Sequence, residues 1–137
     1  MNYSVNRATH AQVHYFLKEN DNAFNPPFSS NIDLNQYAAK LITKATIYEL
    51  WDAGSLIGII ASYYNPIEKI IFIPYICVSR TGHGAGLFSF FLSQIKGVEA
   101  IFLEVRKNNK RAISFYEKFD FHVVSQSEDK FLLKKEL

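Results

Sequence analysis

The stretch Val78-Ser79-Arg80-Thr81-Gly82-His83-Gly84-Ala85-Gly86-Leu87 carries the strongest chemical signal in the chain. Glycine stands at every second position between an apolar run of strand character and a run of helical apolar periodicity. Glycine reaches positive φ without strain and lets a backbone approach a bulky ligand closely. The N–H groups of such a loop, with the positive end of a helix behind them, suit an anion, above all a phosphate or pyrophosphate. The plainer alternative is a tight turn that needs glycine for geometry alone. His83 lies inside the loop, where it either touches a phosphate or is solvated.

A dinucleotide is one ligand of this kind. Gly82-x-Gly84-x-x-Leu87 lacks the third glycine of the dinucleotide fingerprint, but Glu104 stands 20 residues beyond Gly84, where that fold carries its ribose-binding carboxylate. Two features count against it. Only 33 residues follow Glu104, too few to complete a doubly wound sheet, and the residues before the loop do not alternate strand with helix.

The elements that must position the loop follow from periodicity and caps. Thr9-x-x-Gln12 resembles a capping box and opens a helix with Val13, Phe16 and Leu17 on one face. Asp33-x-x-Gln36 opens a second, with Leu34, Tyr37, Ala38, Leu41 and Ile42 in register. A third starts near Gly84, carries Leu87, Phe88, Phe91, Leu92 and Ile95, and ends at Gly97. Asn109 caps a fourth, with Ala112, Ile113, Phe115, Tyr116 and Phe119. Strands are predicted over 47–51 and 56–64 around an Ala53-Gly54 hairpin turn, over 70–78, 100–105, 121–125 and 130–134, with a short one at 3–5. Pro74 removes a ladder donor inside the apolar run 70–78, which predicts a bulge or strand splay nearby. The connection 20–31 holds Pro26 and Pro27, which forbid regular structure; it is either functional or a plain surface link. The order predicts a mixed α/β fold with one right-handed β-α-β crossover.

Composition narrows the function. With 137 residues, 48% of them hydrophobic and 15% aromatic, the chain suits a single packed domain over 1–137. A formal charge of +2, evenly spread, argues for neither nucleic acid nor an anionic membrane. The lone Cys77 excludes a disulfide framework and suits a reducing, cytoplasmic setting; it reads as packing, not as a nucleophile. His10, His14 and His122 have no metal spacing, so no metal site is expected. No signal peptide and no apolar run long enough to span a bilayer is expected.

Together, the strand ending at Val78, Gly82-x-Gly84-x-Gly86-Leu87, and Leu103-Glu104-Val105 followed by Asn109-x-x-Ala112-Ile113-x-Phe115-Tyr116-Glu117-Lys118 resemble the GCN5-related N-acetyltransferase (GNAT) superfamily. The resemblance is close over 46–137, and over the first 45 residues it extends to element order. Thr81 stands where the family usually has Gln or Arg, with Arg80 one residue early. The turn after Val78 is two residues shorter than usual. Asp120 replaces a usual glycine, and tolerates left-handed φ better than most residues.

The resemblance implies the acyl-CoA N-acyltransferase fold: a mostly antiparallel central sheet flanked by four helices, with its central strands splayed. It implies acetyl-CoA as co-substrate, with its pantetheine arm on the backbone of Ile76, Cys77 and Val78. The pyrophosphate falls on the N–H groups of Gly82, His83, Gly84, Ala85, Gly86 and Leu87, and Asn109 and Ala112 lie along the arm. It makes Tyr116 the general acid that protonates the leaving thiolate, against the alternative of a core tyrosine. Glu104 is the candidate base, through a water, against an ion pair with Arg106 on the same strand face. Asn109 is an N-cap, a cofactor contact, or both. The acceptor side falls on 24–31, Tyr37 and 126–129, where Glu128 and Asp129 either attract a cationic amine or form a polar hairpin tip.

The expectation is an acetyl-CoA-dependent N-acetyltransferase acting by direct attack on a primary amine of a small molecule, amino sugar or peptide. It is expected to be a monomer or homodimer, with no nucleic-acid or membrane partner. The rivals are a non-catalytic acyl-CoA-binding module of the same fold and a dinucleotide-binding domain.

Overall fold

The computed structural model describes residues 1–137. Its elements are β1 (Asn2–Val5), α1 (His10–Glu19), α2 (Leu34–Lys44), β2 (Thr46–Asp52), β3 (Ser55–Asn65), β4 (Ile70–Val78), α3 (Gly84–Gln94), β5 (Ala100–Arg106), α4 (Lys110–Lys118), β6 (His122–Gln126) and β7 (Lys130–Glu136). The seven strands form one sheet in the order β1-β2-β3-β4-β5-β7-β6. The β1–β2, β2–β3, β5–β7 and β6–β7 pairs are antiparallel, and β4–β5 is parallel. This is the expected α/β architecture. No helix is long and apolar enough to cross a membrane. The chain divides into two compact units, Met1–Ser62 with Tyr75–Ile95, and Tyr63–Pro74 with Lys96–Leu137.

In the first unit the helix starts are set locally. Thr9 Oγ1 accepts from the Gln12 N–H at 3.2 Å while Gln12 Oε1 accepts from the Thr9 N–H at 2.9 Å, so the capping box is complete. Asp33 Oδ1 accepts from the Gln36 N–H at 3.0 Å. α1 buries Val13, Phe16 and Leu17, and α2 buries Ala38 and Leu41, whereas Ile42 is 37% exposed. The connection 20–31 is not wholly irregular: it makes two 3-10 turns, Asp21–Ala23 and Phe28–Ser30. α3 stops at Gln94, short of the predicted Gly97, because Ile95 is already extended; Gly97 takes positive φ in the link to β5.

Glu49 is the unexpected part of this unit. It sits in the middle of β2 and is 0% exposed. A buried carboxylate is tolerated only when hydrogen bonds replace its water. Here Oε1 accepts from Ser4 Oγ at 2.6 Å, both oxygens accept from the Arg7 N–H at 3.0 Å, and Oε2 accepts from the Ala8 N–H at 2.7 Å. Trp51 Nε1 donates to the same Ser4 hydroxyl at 2.7 Å. One side chain thus satisfies the turn that leads from β1 into α1.

In the second unit, β4 and β5 pair in parallel from Ile70↔Ala100 to Ile73↔Leu103, and the register ends there. The next residue of β4 is Pro74, which has no N–H to offer a ladder. The turn after α4 uses Asp120 at φ +67°, as its residue type allows. Lys135 Nζ donates to the Phe119 carbonyl at 2.9 Å and fixes that helix end. A register shift between Val123 and Ser125 breaks the β6–β7 ladder.

Removing the Glu49 carboxylate leaves the buried Ala8 N–H and the part-buried Arg7 N–H and Ser4 hydroxyl without this partner. Glu49→Ala should therefore lower stability by about 3 kcal/mol, roughly 10 °C in Tm, in a thermal or urea unfolding experiment. A loss under about 1 kcal/mol would show that the turn into α1 is held by something else.

Candidate active site

The first unit holds the glycine loop. Ser79, which leads into it from β4, is pinned: its N–H and Oγ both donate to the Ile57 carbonyl, at 2.8 and 3.1 Å. Gly82 takes φ +92°, a conformation that L side chains rarely adopt. α3 begins at Gly84, and the His83 side chain makes no cap hydrogen bond. The N–H groups of Gly82, Gly84, Ala85 and Gly86 make no backbone hydrogen bond of ordinary geometry, while that of His83 closes a turn onto the Arg80 carbonyl. The Leu87 N–H is already donated to the His83 carbonyl at 3.3 Å. Unspent N–H groups at a helix start have the chemistry to receive an anion.

Gly86 has a further reason to be glycine. A Cβ there would lie 2.5 Å from the Tyr3 hydroxyl oxygen. Tyr3 stacks on Phe90, one turn along α3, with ring centroids 4.9 Å apart and planes inclined by 13°. Its phenol therefore runs along the helix to the loop. Gly58 plays a similar part below, where a Cβ would meet Val78 Cγ1 at 2.9 Å and Leu87 Cδ2 at 3.1 Å. Neither Tyr3 nor Gly58 is singled out by the sequence reading, because each acts through a distant neighbour.

Arg80, one residue before the family's usual basic position, is committed to Asp52 in an ion pair. The hydrogen bond from Arg80 holds the Asp52 carboxyl below its usual range, against a desolvation that pushes the other way. His83 lies near enough to favour the same carboxylate. Thr81 is exposed.

β4 splits its side chains between two faces. Tyr75 and Cys77 are buried on one; Ile76 and Val78 are half-buried on the other. Burial pushes the Cys77 thiol up to about 11, partly offset by the Tyr75 hydroxyl beside it. Such a thiol is no nucleophile at neutral pH. Tyr75 is 3% exposed, and its hydroxyl makes no hydrogen bond of ordinary geometry. Burial, with the Cys77 thiol next to it, raises that hydroxyl well above the usual tyrosine range. A buried hydroxyl without a proper partner costs about 1–3 kcal/mol. The rings of Phe24 and Phe28 lie 5.3 and 5.2 Å from Tyr75, and Tyr37 lies 6.4 Å away. These come from the 24–31 and Tyr37 region expected on the acceptor side.

The second unit holds the other candidates. Glu104 is exposed on β5. It forms no ion pair with Arg106, which binds Asp129 at 2.9 Å instead. The Asp129 carboxyl lies below its usual range: desolvation opposes this, and its own backbone N–H and Arg106 outweigh it. Asn109 Oδ1 caps α4 by accepting from the Ala112 N–H at 3.1 Å. That spends the Ala112 donor and leaves the Asn109 amide N–H groups available. Tyr116 is buried, its ring 5.6 Å from Phe121. Its carbonyl accepts from the Phe119 and Phe121 N–H groups at 3.0 and 3.1 Å, so the helix end locks its position.

A loop of unspent N–H groups between a parallel-paired strand and a helix matches a known class, and the comparisons agree. The family model of the GNAT acetyltransferase family matches residues 12–121, and the chain belongs to that family. No curated protein matches the sequence significantly. Among solved structures, the chain is similar to an aminoglycoside 6'-acetyltransferase type Ii (TM-score 0.80, 13% identity, 99% of this chain and 97% of that one). It is similar to Ard1 from Thermoplasma volcanium (TM-score 0.77, 18% identity, 100% and 99%). It also resembles Arabidopsis thaliana Naa50 in complex with the bisubstrate analogue CoA-Ac-MVNAL (TM-score 0.70, 20% identity, 100% of each chain).

Two outcomes follow from this geometry. Alanine usually stabilises a helix by about 0.5–1 kcal/mol over glycine. Gly86→Ala should instead cost about 1 kcal/mol by unseating Tyr3, and should become stabilising in a Tyr3→Phe background. Urea unfolding of the four proteins reads that reversal of sign, and its absence would dismiss the Tyr3 contact. At pH 8 only about one thousandth of Cys77 is thiolate. Iodoacetamide should therefore label it no faster than the protein unfolds, as mass spectrometry would show.

Proposed function

We propose that this protein is an N-acetyltransferase that moves an acetyl group from acetyl-CoA to a primary amine of a small molecule, amino sugar or peptide. The unspent N–H groups of Gly82, Gly84, Ala85 and Gly86 carry the proposal, because they fit a pyrophosphate without help from side chains. The family membership and the CoA moiety in the Naa50 complex support it. The 137 residues act as one acetyltransferase domain, monomeric or homodimeric, and the lone buried thiol suits a reducing, cytoplasmic setting.

Acetyl-CoA supplies an activated thioester. Gly82, Gly84, Ala85 and Gly86 hold its pyrophosphate through the backbone, with His83 and Leu87 closing the turns. Ile76, Cys77 and Val78 offer backbone groups to the pantetheine arm, and an N–H near Val78 polarises the thioester carbonyl. Asn109 offers its amide N–H groups to the arm, and Ala112 offers its methyl. The acceptor amine attacks the carbonyl carbon; a C–N bond forms as the C–S bond breaks. An alkylammonium has a pKa of about 10.4, so a proton must leave before attack. Glu104 takes it through a water. Tyr116 gives a proton to the departing thiolate and recovers one from the newly bonded nitrogen, so the net products are an amide, a free thiol and the proton held at Glu104.

A second reading, a non-catalytic acyl-CoA-binding module, is favoured by Thr81 at the usual Gln/Arg position and by the commitment of Arg80 to Asp52.

Thermal-shift titration with acetyl-CoA, CoA, NAD and ATP tests the cofactor. Acetyl-CoA and CoA at 100 times Kd should each add about 2.7 kcal/mol, several degrees in Tm. A rise with NAD alone would overturn the proposal in favour of a dinucleotide domain. Tyr116→Phe should lower kcat for thiol release at least tenfold with the acetyl-CoA shift retained. A retained shift with no thiol release from any amine in the unsubstituted protein would leave the module.

A further inference from the structure

The buried Tyr75 hydroxyl has no oxygen or nitrogen partner, only the Cys77 thiol beside it, and the three half-exposed rings of Phe24, Phe28 and Tyr37 pack around the Tyr75 ring. Phe24 and Phe28 stack edge-to-face at 4.6 Å, and Phe28 lies 5.7 Å from Tyr37. A guest that reaches the hydroxyl must turn Phe24 or Phe28 aside. Both sit on or beside a short 3-10 turn and are already partly in solvent, so the displaced ring has somewhere to go. The move strips Tyr75 of a ring contact. Only a guest that carries a planar apolar group returns it.

From this juxtaposition we infer that the acceptor is an amine bearing an aromatic group, seated on Phe24, Phe28 and Tyr37, with its amine N–H donating to the Tyr75 hydroxyl. The inference rests on the acetyltransferase reading above and names the substrate class of that site. Tyr75 sits one residue before Ile76 on β4, beside the backbone assigned to the thioester arm. Tyr75 stays a neutral phenol here and positions the amine without taking its proton.

Thiol release from acetyl-CoA with 2-phenylethylamine, spermidine and glucosamine tests the preference. The aryl amine should lead both others by at least tenfold in kcat/KM. Tyr75→Phe keeps the ring and loses the hydroxyl, and should raise KM for 2-phenylethylamine about tenfold while KM for acetyl-CoA holds. Phe28→Ala, on the half-exposed connection, should raise the same KM. Preference for spermidine or glucosamine, or an unchanged amine KM in both variants, would overturn the inference. Saturation-transfer NMR of 2-phenylethylamine without acetyl-CoA separates the two levels. Transfer to the ring protons that weakens in Phe28→Ala supports the aromatic seat even if no acetyl transfer is found. Absence of transfer together with equal turnover of all amines sinks the seat and leaves the acetyltransferase standing.

Discussion

Pro74 sits in the middle of β4 with no N–H, and the parallel register with β5 has no member beyond Ile73↔Leu103. Much of the candidate chemistry depends on that stop. A strand hydrogen-bonded along its length has no backbone to spare for a ligand. Past the proline, strand alternation still holds, so Tyr75 and Cys77 go to a buried face and Ile76 and Val78 to a half-buried one. The Ser79 bonds to Ile57 then anchor the strand end at the point where the glycine loop begins. Four residues of β4 thus lie between an aromatic cluster and an anion cradle.

The glycines of that region look alike in sequence and do different work. Gly82 supplies a positive φ at the loop. Gly86 makes room for a phenol that has stacked along α3, and Gly58 makes room for Val78 and Leu87. Only the first is a property of the loop itself. The motif therefore locates the cradle, while two of the three constraints come from packing between segments far apart in the chain. The proposed anion site, whose donors are backbone N–H groups, would not need a basic side chain at Thr81, since its field comes from fixed dipoles.

What was legible in the sequence is what short-range physics decides. The Thr9, Asp33 and Asn109 caps lie three residues from their partners, and all three form. The β4 bounds follow from an uninterrupted apolar run, and the left-handed turn at Asp120 follows from its residue type. Glu49 was not legible as a keystone, because its partners lie 41 to 45 residues away in the chain. The one available signal was an acidic residue between Tyr48 and Leu50 in an otherwise apolar strand. The ion-pair alternative for Glu104 does not form for a related reason: face alternation favours a Glu104–Arg106 pair, but the β5–β7 pairing brings Asp129 to Arg106 instead.

Fold and acceptor are separate questions in this family. An aminoglycoside 6'-acetyltransferase and a peptide bisubstrate complex of Naa50 share this architecture at 13% and 20% identity. A sheet and a backbone cradle can be kept under almost any sequence that preserves apolar periodicity and a few glycines, so they carry no information about the amine. That information resides where side chains face a site without being needed for the core. The 20–31 connection meets that condition. Asp21 and Ser29 tether it to itself, and Phe24 and Phe28 stay half-exposed instead of being driven into the core. Aromatic rings left partly in water over a buried, underused hydroxyl are a standing cost to stability.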